Sequence, residues 1–211
     1  MEPFIQNHQY NLIKYQAMLL QKQVHGVVDR DVESAIRAEA EAKVLDVFDE
    51  LTSEQEGLLS RIALLNTIEE RMNFLKDLYP FRLSFPTVTQ QDVKNLFSKT
   101  KKLKLPMLKE IDFTSVTYLG WKDIGESKQY LVLHLNHKLV GLKGRYVIAT
   151  RKGLCDICNR YGDMALVSFP KKGGAAENDK AYGKFICYDS KECNQAIQDP
   201  SKLEAFIHQL F

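Results

Sequence analysis

Four cysteines are the residues of this chain whose types and spacing could carry chemistry. They are Cys155, Cys158, Cys187 and Cys193, in the pattern C-x2-C-x28-C-x5-C. Two short-spaced thiol pairs can converge on one tetrahedral zinc ion, because each pair supplies two ligands from a tight turn. Four thiolates close the coordination sphere and leave no position for water. The pattern therefore predicts one structural Zn²⁺ and argues against a catalytic metal.

Two other interpretations of the cysteines remain open from the residues alone. They could be four ordinary buried thiols, or Cys155 and Cys158 could form a redox-active pair. Redox pairs usually stand alone at a helix start, and the flanking Trp and Pro expected there are missing from this one. The segment from Cys155 to Cys193 is too short to bury a stable core alone. Bound zinc supplies about 10–16 kcal/mol of apparent binding energy that acts as folding energy.

The elements around the cysteines predict how the ligands are positioned. The first pair lies in a short turn with the form of a zinc knuckle. Residues 165–169 and 182–186 predict a hairpin between the two pairs. Cys193 is expected in the first turn of a helix that Asp189 or Ser190 caps. A knuckle, a hairpin and a helix carrying the last ligand make the layout of a treble clef.

The first hundred residues predict helices, because their apolar residues recur every three or four positions. Such stripes are typical of an all-helical bundle in which each helix hides one face. The candidate helix caps are Asp29, Ser53 with Glu56, Thr67 with Glu70, and Thr89 with Asp92.

After the lysine-rich segment 99–106 the period becomes two, which predicts a small antiparallel sheet leading into the cysteines. The Gly-containing stretch 171–180 predicts a loop. The expected fold class is α+β, with a helical bundle domain at 1–100 and an α/β domain with a treble-clef-like zinc finger at 101–211.

Sequence patterns of several enzyme classes are absent. The chain has no phosphate-binding G-x-x-x-x-G-K-[ST] loop, no G-x-G-x-x-G, no H-E-x-x-H and no G-x-S-x-G. His134 and His137 lie on or beside a predicted strand and are expected to be surface groups. We therefore expect a protein that is not an enzyme. No apolar run approaches the roughly 20 residues of a membrane span, and no secretory signal is evident, so we expect a cytoplasmic protein.

The net charge of +2 conceals a division along the chain. Residues 31–79 carry 12 acidic and 5 basic residues, a net of −7, and residues 99–211 carry 19 basic and 12 acidic residues, a net of +7. One interpretation is two solvated faces of opposite sign. The other is that the C-terminal half meets an anionic partner, either nucleic acid or an acidic protein face.

Three stretches of the C-terminal half are similar to one family. They are YLGWKD at 118–123, KGLCDICN at 152–159, and ICYDS at 186–190 followed by CNQ at 193–195. On these motifs the chain resembles the FusB/FusC-type fusidic-acid resistance proteins, described as elongation factor G-binding proteins with a C-terminal treble-clef zinc finger. The resemblance is specific over Lys99 to Phe211 and only architectural over the N-terminal helices.

The resemblance implies a function and a set of site residues. A protein of this kind binds the C-terminal domains of elongation factor G and promotes release of the factor from the ribosome, which it contacts only through the factor. The drug is not modified, and the protein is expected to be a monomer. The four cysteines are the implied zinc ligands. The implied partner contacts, taken as exposed, are Leu154, Tyr182, Lys184, Phe185 and Phe206. The alternative for Phe185 and Phe206 is that each packs the small core of the domain.

Two rival functions remain open at this point. The first is a zinc-dependent module that binds ribosomal RNA through the lysines of 99–109 and stacked aromatic residues. The second is an enzyme acting on the antibiotic. Neither the selected role, resistance or housekeeping, nor the surface of the factor that is contacted follows from the sequence.

Overall fold

Helices form the N-terminal part of the chain in the computed structural model, which describes residues 1–170 and 181–210. Two compact units divide the chain, Met1–Leu83 and Ser84–Phe211. The helices of the first unit are α1 (Asn7–Val24), α2 (Arg30–Leu45), α3 (Ser53–Ser60) and α4 (Ile68–Leu78), with 3₁₀ turns at Arg61–Leu64 and Tyr79–Phe81.

Side-chain caps fix where several helices begin. Asp29 accepts hydrogen bonds from the backbone of Asp31 and Val32, which starts α2. Capping boxes pair Thr67 with Glu70 before α4 and Thr89 with Asp92 before the later helix α5 (Gln90–Leu96). These caps are the predicted ones. The box before α3 lies one residue earlier than expected, because Thr52 and Gln55 form it in place of Ser53 and Glu56.

The apolar faces of the helices in the first unit pack against one another. A single cluster of fully buried residues joins all four helices and the turn after α3. Burial of this cluster explains why a segment rich in acidic residues still folds as a bundle, because its charges remain on the outer faces. The largest of its fully buried side chains are Phe74, Ile5, Ile13, Leu20, Leu59, Ile62 and Leu78.

The second unit is built on a five-stranded antiparallel sheet in the order β1-β2-β3-β6-β7. Its strands are β1 (Leu119–Asp123), β2 (Lys128–Leu135), β3 (Lys138–Ile148), β6 (Met164–Pro170) and β7 (Ala181–Cys187). The short strands β4 (Gly153–Leu154) and β5 (Tyr161–Gly162) form a separate ladder. Helices α6 (Ser190–Ala196) and α7 (Ser201–Leu210) follow. The predicted α+β fold class, helices first and then this sheet with its cysteine cluster, is confirmed.

Helix α5 packs on the sheet of the second unit. Phe97, its C-terminal cap residue, meets Tyr130 edge to face with 5.1 Å between ring centroids and meets Trp121 at 5.7 Å. Trp121 stacks on Tyr130 and donates from its indole nitrogen to the carbonyl of Lys104 at 2.9 Å. The chain divides after Leu83, so α5 belongs to the second unit. The domain boundary after residue 100 stays a prediction from the sequence.

The structure bears differently on two segments that the sequence singled out, 99–106 and 171–180. The lysine-rich segment 99–106 is partly packed, since Leu103 and Leu105 contact the core under α5. The predicted loop at 171–180 lies outside the described residues. Among the described helices, none combines the length and apolarity that crossing a bilayer requires.

A substitution at Gly141 tests the packing of α5 on β3. A Cβ atom at this position would lie 2.9 Å from Phe97 Cζ and 3.1 Å from Leu96 Cβ, so Gly141→Ala should lower the free energy of unfolding by about 1–3 kcal/mol through overpacking. Urea unfolding followed by tryptophan fluorescence measures the change. The matched control is Gly183→Ala on β7, whose Cβ would meet Leu166 Cδ1 at an ordinary 3.4 Å. Equal stability of the two variants contradicts the close approach.

Candidate metal centre and the surface beside it

The four cysteines, far apart in sequence, meet at one point in the second unit. All four sulfur atoms lie within 4.8 Å of one another. Cys155 and Cys158 come from the turn between β4 and β5, Cys187 ends β7, and Cys193 lies in the first half of α6. These are the elements that the sequence predicted for a knuckle, a strand end and a helix.

Hydrogen bonds of the backbone shape the turn that carries the first pair. The Cys155 nitrogen donates to the Arg160 carbonyl at 2.9 Å, and the Asn159 nitrogen donates to the Cys155 carbonyl at 3.0 Å. Asn159 has a φ of 59°, a left-handed conformation that asparagine tolerates better than most residues. The Cys155 sulfur accepts from the backbone nitrogens of Ile157 and Cys187, each at 3.4 Å. This turn therefore holds its thiols facing inward.

The sulfur spacing fits a zinc ion. Cys155 and Cys193 are 3.8 Å apart at Sγ, and Cys158 and Cys187 are 3.5 Å apart. A tetrahedral ion with Zn–S bonds of about 2.3 Å places its sulfurs roughly 3.8 Å from one another. Disulfides need a separation near 2.05 Å, and all four cysteines are free thiols. The donor set is therefore that of a closed thiolate site.

Electrostatics also favour a cation among these thiols. Hydrogen bonds from Cys158, Cys187 and Cys193 lower the pKa of the Cys155 thiol. Contacts with Cys155 and Cys158 raise the pKa values of the Cys187 and Cys193 thiols. Ionisation of Cys155 and Cys158 thus opposes ionisation of Cys187 and Cys193. A divalent cation removes that opposition, because it attracts every thiolate at once.

Helix α6 is attached to the strand that begins the sheet. Asn194, next to Cys193, accepts hydrogen bonds from the backbone nitrogens of Thr117 and Tyr118 at 2.7 and 3.1 Å. Its amide nitrogen donates to the carbonyls of Tyr118 and Ser190, both at 2.9 Å. The side chain is 2% exposed, so these bonds are made in the interior. Asn194 therefore sets the position of the last cysteine relative to β1.

The predicted partner-contact residues divide between two faces of β7. Leu154 beside the turn is 63% exposed and Phe185 is 47% exposed. Tyr182 and Lys184, on the other face of β7, are half-buried, and the Lys184 ammonium lies 5.6 Å from the ring centroid of Phe206. Phe206 is 2% exposed and packs edge-on against Phe169. The expectation that Phe206 is exposed is wrong, because the apolar stripe of α7 faces the core.

Sequence reasoning missed three exposed apolar residues close to Leu154 and Phe185. Tyr161 is 65% exposed and pairs with Leu154 across the β4–β5 ladder. Val147 is 69% exposed and lies in one row with Leu166 and Phe185 across β3, β6 and β7. Ile148 is 58% exposed at the end of β3. We call Val147, Leu154, Tyr161 and Phe185 the knuckle surface.

Two mutual hydrogen bonds fix the knuckle surface to the cysteine-bearing turn. The Asp156 nitrogen donates to the Phe185 carbonyl, and the Phe185 nitrogen donates to Asp156 Oδ2, each at 2.7 Å. Asp156 lies between the first two cysteines. The backbone that presents Phe185 is therefore joined to the backbone that presents the thiols.

Known proteins share both units of this chain. A sequence model described as "Elongation factor G-binding protein, N-terminal" matches residues 4–86, and one described as "FBP C-terminal treble-clef zinc-finger" matches residues 93–209. The chain belongs to the FusB/FusC-type family of elongation factor G-binding proteins. A solved structure of the fusidic acid resistance protein FusC is similar over 98% of this chain and 97% of its own, at 26% identity and a TM-score of 0.83. Among proteins with curated descriptions, none matches by sequence.

Family membership settles the fold of the cysteine-bearing region and the class of protein. The zinc-finger match spans all four cysteines and the sheet before them, so the treble-clef layout predicted from spacing agrees with the family. The family is one of factor-binding resistance proteins rather than one of known enzymes. The N-terminal helices, only architecturally similar by their residues, belong to the same family.

Replacing Asn194 tests the attachment of α6 to β1. In Asn194→Ala the buried backbone groups of Thr117 and Tyr118 lose their partner, so the free energy of unfolding should fall by roughly 3 kcal/mol. Thermal unfolding by circular dichroism measures this loss. Asn95→Ala, on the exposed face of α5, removes an asparagine of the same unit and should change stability by less than about 0.5 kcal/mol. A wild-type melting temperature for Asn194→Ala would contradict the assignment.

Proposed function

We propose that this protein binds elongation factor G through the knuckle surface and promotes release of the factor from the ribosome, including from ribosomes stalled by fusidic acid. The observation that carries the proposal is an exposed apolar surface joined to a four-thiol centre, in a chain of the elongation factor G-binding family. The protein would act in the cytoplasm as a monomer, meet the ribosome only through the factor, and leave the drug unmodified.

The metal part of the proposal assigns one structural Zn²⁺ to Cys155, Cys158, Cys187 and Cys193. Support comes from the sulfur spacing and from the raised pKa values of the Cys187 and Cys193 thiols beside Cys155 and Cys158. When bound, the ion would supply folding energy and no chemistry on a substrate, since four thiolates leave no open position. The turn that carries Leu154 and Asp156 would then keep its shape only with the ion in place.

The chemistry of the knuckle surface fits a protein partner with an acidic face. Leucine, tyrosine and phenylalanine side chains supply the apolar contact area typical of an interface centre. Arg145, two residues before Val147 on the same face of β3, is exposed, as are Lys152 and Arg160 around the cysteine-bearing turn. Such cations at the rim steer an anionic partner and increase the rate of association. Of the predicted contacts, Leu154 and Phe185 are those we assign to direct contact.

Tyr182, Lys184 and Phe206 enter the proposal differently. They lie behind β7, where Lys184 covers the ring of Phe206 and Tyr182 packs against the core. We propose that all three support the strand that presents Phe185, with the Lys184 ammonium held over the Phe206 ring.

Release of the factor requires more than binding. A ligand shifts a conformational equilibrium only by its differential affinity for the two states. The proposal therefore requires the knuckle surface to bind a conformation of the factor that holds the ribosome weakly. The acidic helical unit, with 14 acidic and 9 basic residues in 1–83, would act as a scaffold or a second contact.

The metal assignment predicts one zinc ion per purified chain. Cys155→Ser should lose that ion and melt the cysteine-bearing region, because a structural zinc contributes about 10–16 kcal/mol of apparent binding energy to folding. Elemental analysis gives the stoichiometry, and amide hydrogen exchange locates the region that opens. Ser168→Ala on the outer face of β6 is the control and should keep its zinc. A chain without zinc that keeps full exchange protection would end the metal assignment.

The docking assignment predicts that Leu154→Ala and Phe185→Ala each weaken the complex with elongation factor G by roughly 30-fold, which corresponds to the loss of about 2 kcal/mol at an interface centre. Isothermal calorimetry with purified factor measures the affinities. Leu64→Ala is the matched control, because Leu64 is 72% exposed but lies in the helical unit. Unchanged affinity in both knuckle variants contradicts the assigned surface.

The same calorimetry distinguishes binding to elongation factor G from the rival function, binding to ribosomal RNA. Ribosomal RNA without the factor should give no saturable binding at physiological salt. Saturable binding to RNA, together with no complex with elongation factor G, would replace the proposal by the RNA-binding one.

A further inference from the structure

Tyr118 brings a buried hydroxyl to the cysteine cluster from outside the cysteine-bearing segment. Its side chain is fully buried in the same core as Cys155 and Cys193. The hydroxyl makes no hydrogen bond of normal geometry within the described residues. The polar groups beside it are the Cys193 sulfur and the Ser190 hydroxyl.

The backbone holds Tyr118 at that place. Asn194 bonds to both the nitrogen and the carbonyl of Tyr118, at 3.1 and 2.9 Å, and Asn194 is the residue after Cys193. Gly120 lets β1 approach α6 closely, since a Cβ there would lie 2.5 Å from Ser190 Oγ and 2.8 Å from Tyr118 Cε2. These contacts fix Tyr118 against α6, the helix that carries Cys193.

Lys122, on β1, brings a positive charge to the same cysteine cluster. Its ammonium group donates to the carbonyl of Tyr188, the residue after Cys187. It also lies 4.4 Å from the ring centroid of Tyr188 and 5.6 Å from that of Tyr146. Lys122 is half-buried, and the side chains of Asp189, Cys187 and Cys193 lie around it.

A zinc ion with four thiolates carries a net charge of −2, which is costly in a buried site. Such centres depend on hydrogen bonds to the sulfurs and on nearby charge, and loss of one outer partner typically costs 10–100-fold in metal affinity. Backbone nitrogens of Ile157, in the turn, and of Cys187, at the end of β7, already donate to the Cys155 sulfur. Tyr118 and Lys122 lie near Cys187 and Cys193, where they can supply a hydrogen-bond donor and a positive charge to those two sulfurs.

We propose that β1 and the residue before it form the outer shell of the metal centre. The Tyr118 hydroxyl donates a hydrogen bond to the Cys193 thiolate, and the Lys122 ammonium offsets the negative charge of the centre. The inference rests on the zinc part of the proposed function. It makes the finger dependent on a strand more than thirty residues before its first cysteine.

The hydroxyl is tested with Co²⁺ in place of zinc in the full chain. In Tyr118→Phe the thiolate loses a hydrogen bond, so the sulfur-to-cobalt charge-transfer band should move to longer wavelength and the zinc dissociation constant should rise roughly tenfold. Tyr130→Phe is a matched control, since the Tyr130 hydroxyl is also buried without a partner but lies in the cluster under α5. Its band and affinity should equal those of wild type.

The charge is tested with Lys122→Gln, which keeps a side-chain N–H donor but carries no charge. Its zinc dissociation constant, measured by competition with a chromogenic chelator, should also rise roughly tenfold. Lys128→Gln removes a lysine that pairs with Glu126 on the surface and should leave the affinity unchanged. Circular dichroism of each zinc-loaded variant checks that the fold is kept.

The possible outcomes distinguish a failure of the outer shell from a failure of the zinc assignment on which it rests. Wild-type protein that shows no four-thiolate cobalt spectrum overturns the zinc assignment itself. A normal wild-type spectrum, with Tyr118→Phe indistinguishable from Tyr130→Phe and Lys122→Gln from Lys128→Gln, overturns only the outer shell. Shifted spectra and weakened zinc binding in both test variants, with both controls unchanged, support it.

Discussion

The electrostatic repulsion among four neighbouring thiolates is the constraint on which the second unit depends. The turn after β4, the end of β7 and the start of α6 bring their sulfurs within 4.8 Å of one another. Protonated thiols pack there as small hydrophobic groups, but four thiolates repel one another unless a cation lies between them. The architecture around the site is therefore best understood as a frame that makes this concentration of negative charge tolerable.

That frame joins elements that a finger alone does not contain. Asn194 links α6 to the entry of β1, and the sheet continues through β2 and β3 to α5, whose end packs on Tyr130 and Trp121. A disturbance of the thiol cluster is thus transmitted to hydrogen bonds and packed side chains rather than confined to one loop. Cooperative unfolding of the whole second unit follows from this connectivity.

The sequence was sufficient where a local pattern had one physical solution. Cysteine spacing predicted the converging turn, strand end and helix, and the Thr67–Glu70 and Thr89–Asp92 pairs predicted helix starts. It was insufficient for contacts between distant elements. The sequence of a seven-residue amphipathic helix such as α5 does not show which core the helix packs against. Phe97, the residue after α5, packs on Tyr130, which lies more than thirty residues further along the chain. The burial of Phe206 was available from the stripe Leu203, Phe206, Ile207 and Leu210, but the resemblance drew attention to the residue as a contact.

The paired hydrogen bonds between Asp156 and Phe185 have a consequence for recognition. They fix the main chain on both sides of the apolar patch before any partner arrives. Little conformational entropy is then lost on association, so a small contact area suffices for useful affinity. A preorganised patch of this kind also favours rapid encounter, since no slow rearrangement of the loop must precede docking.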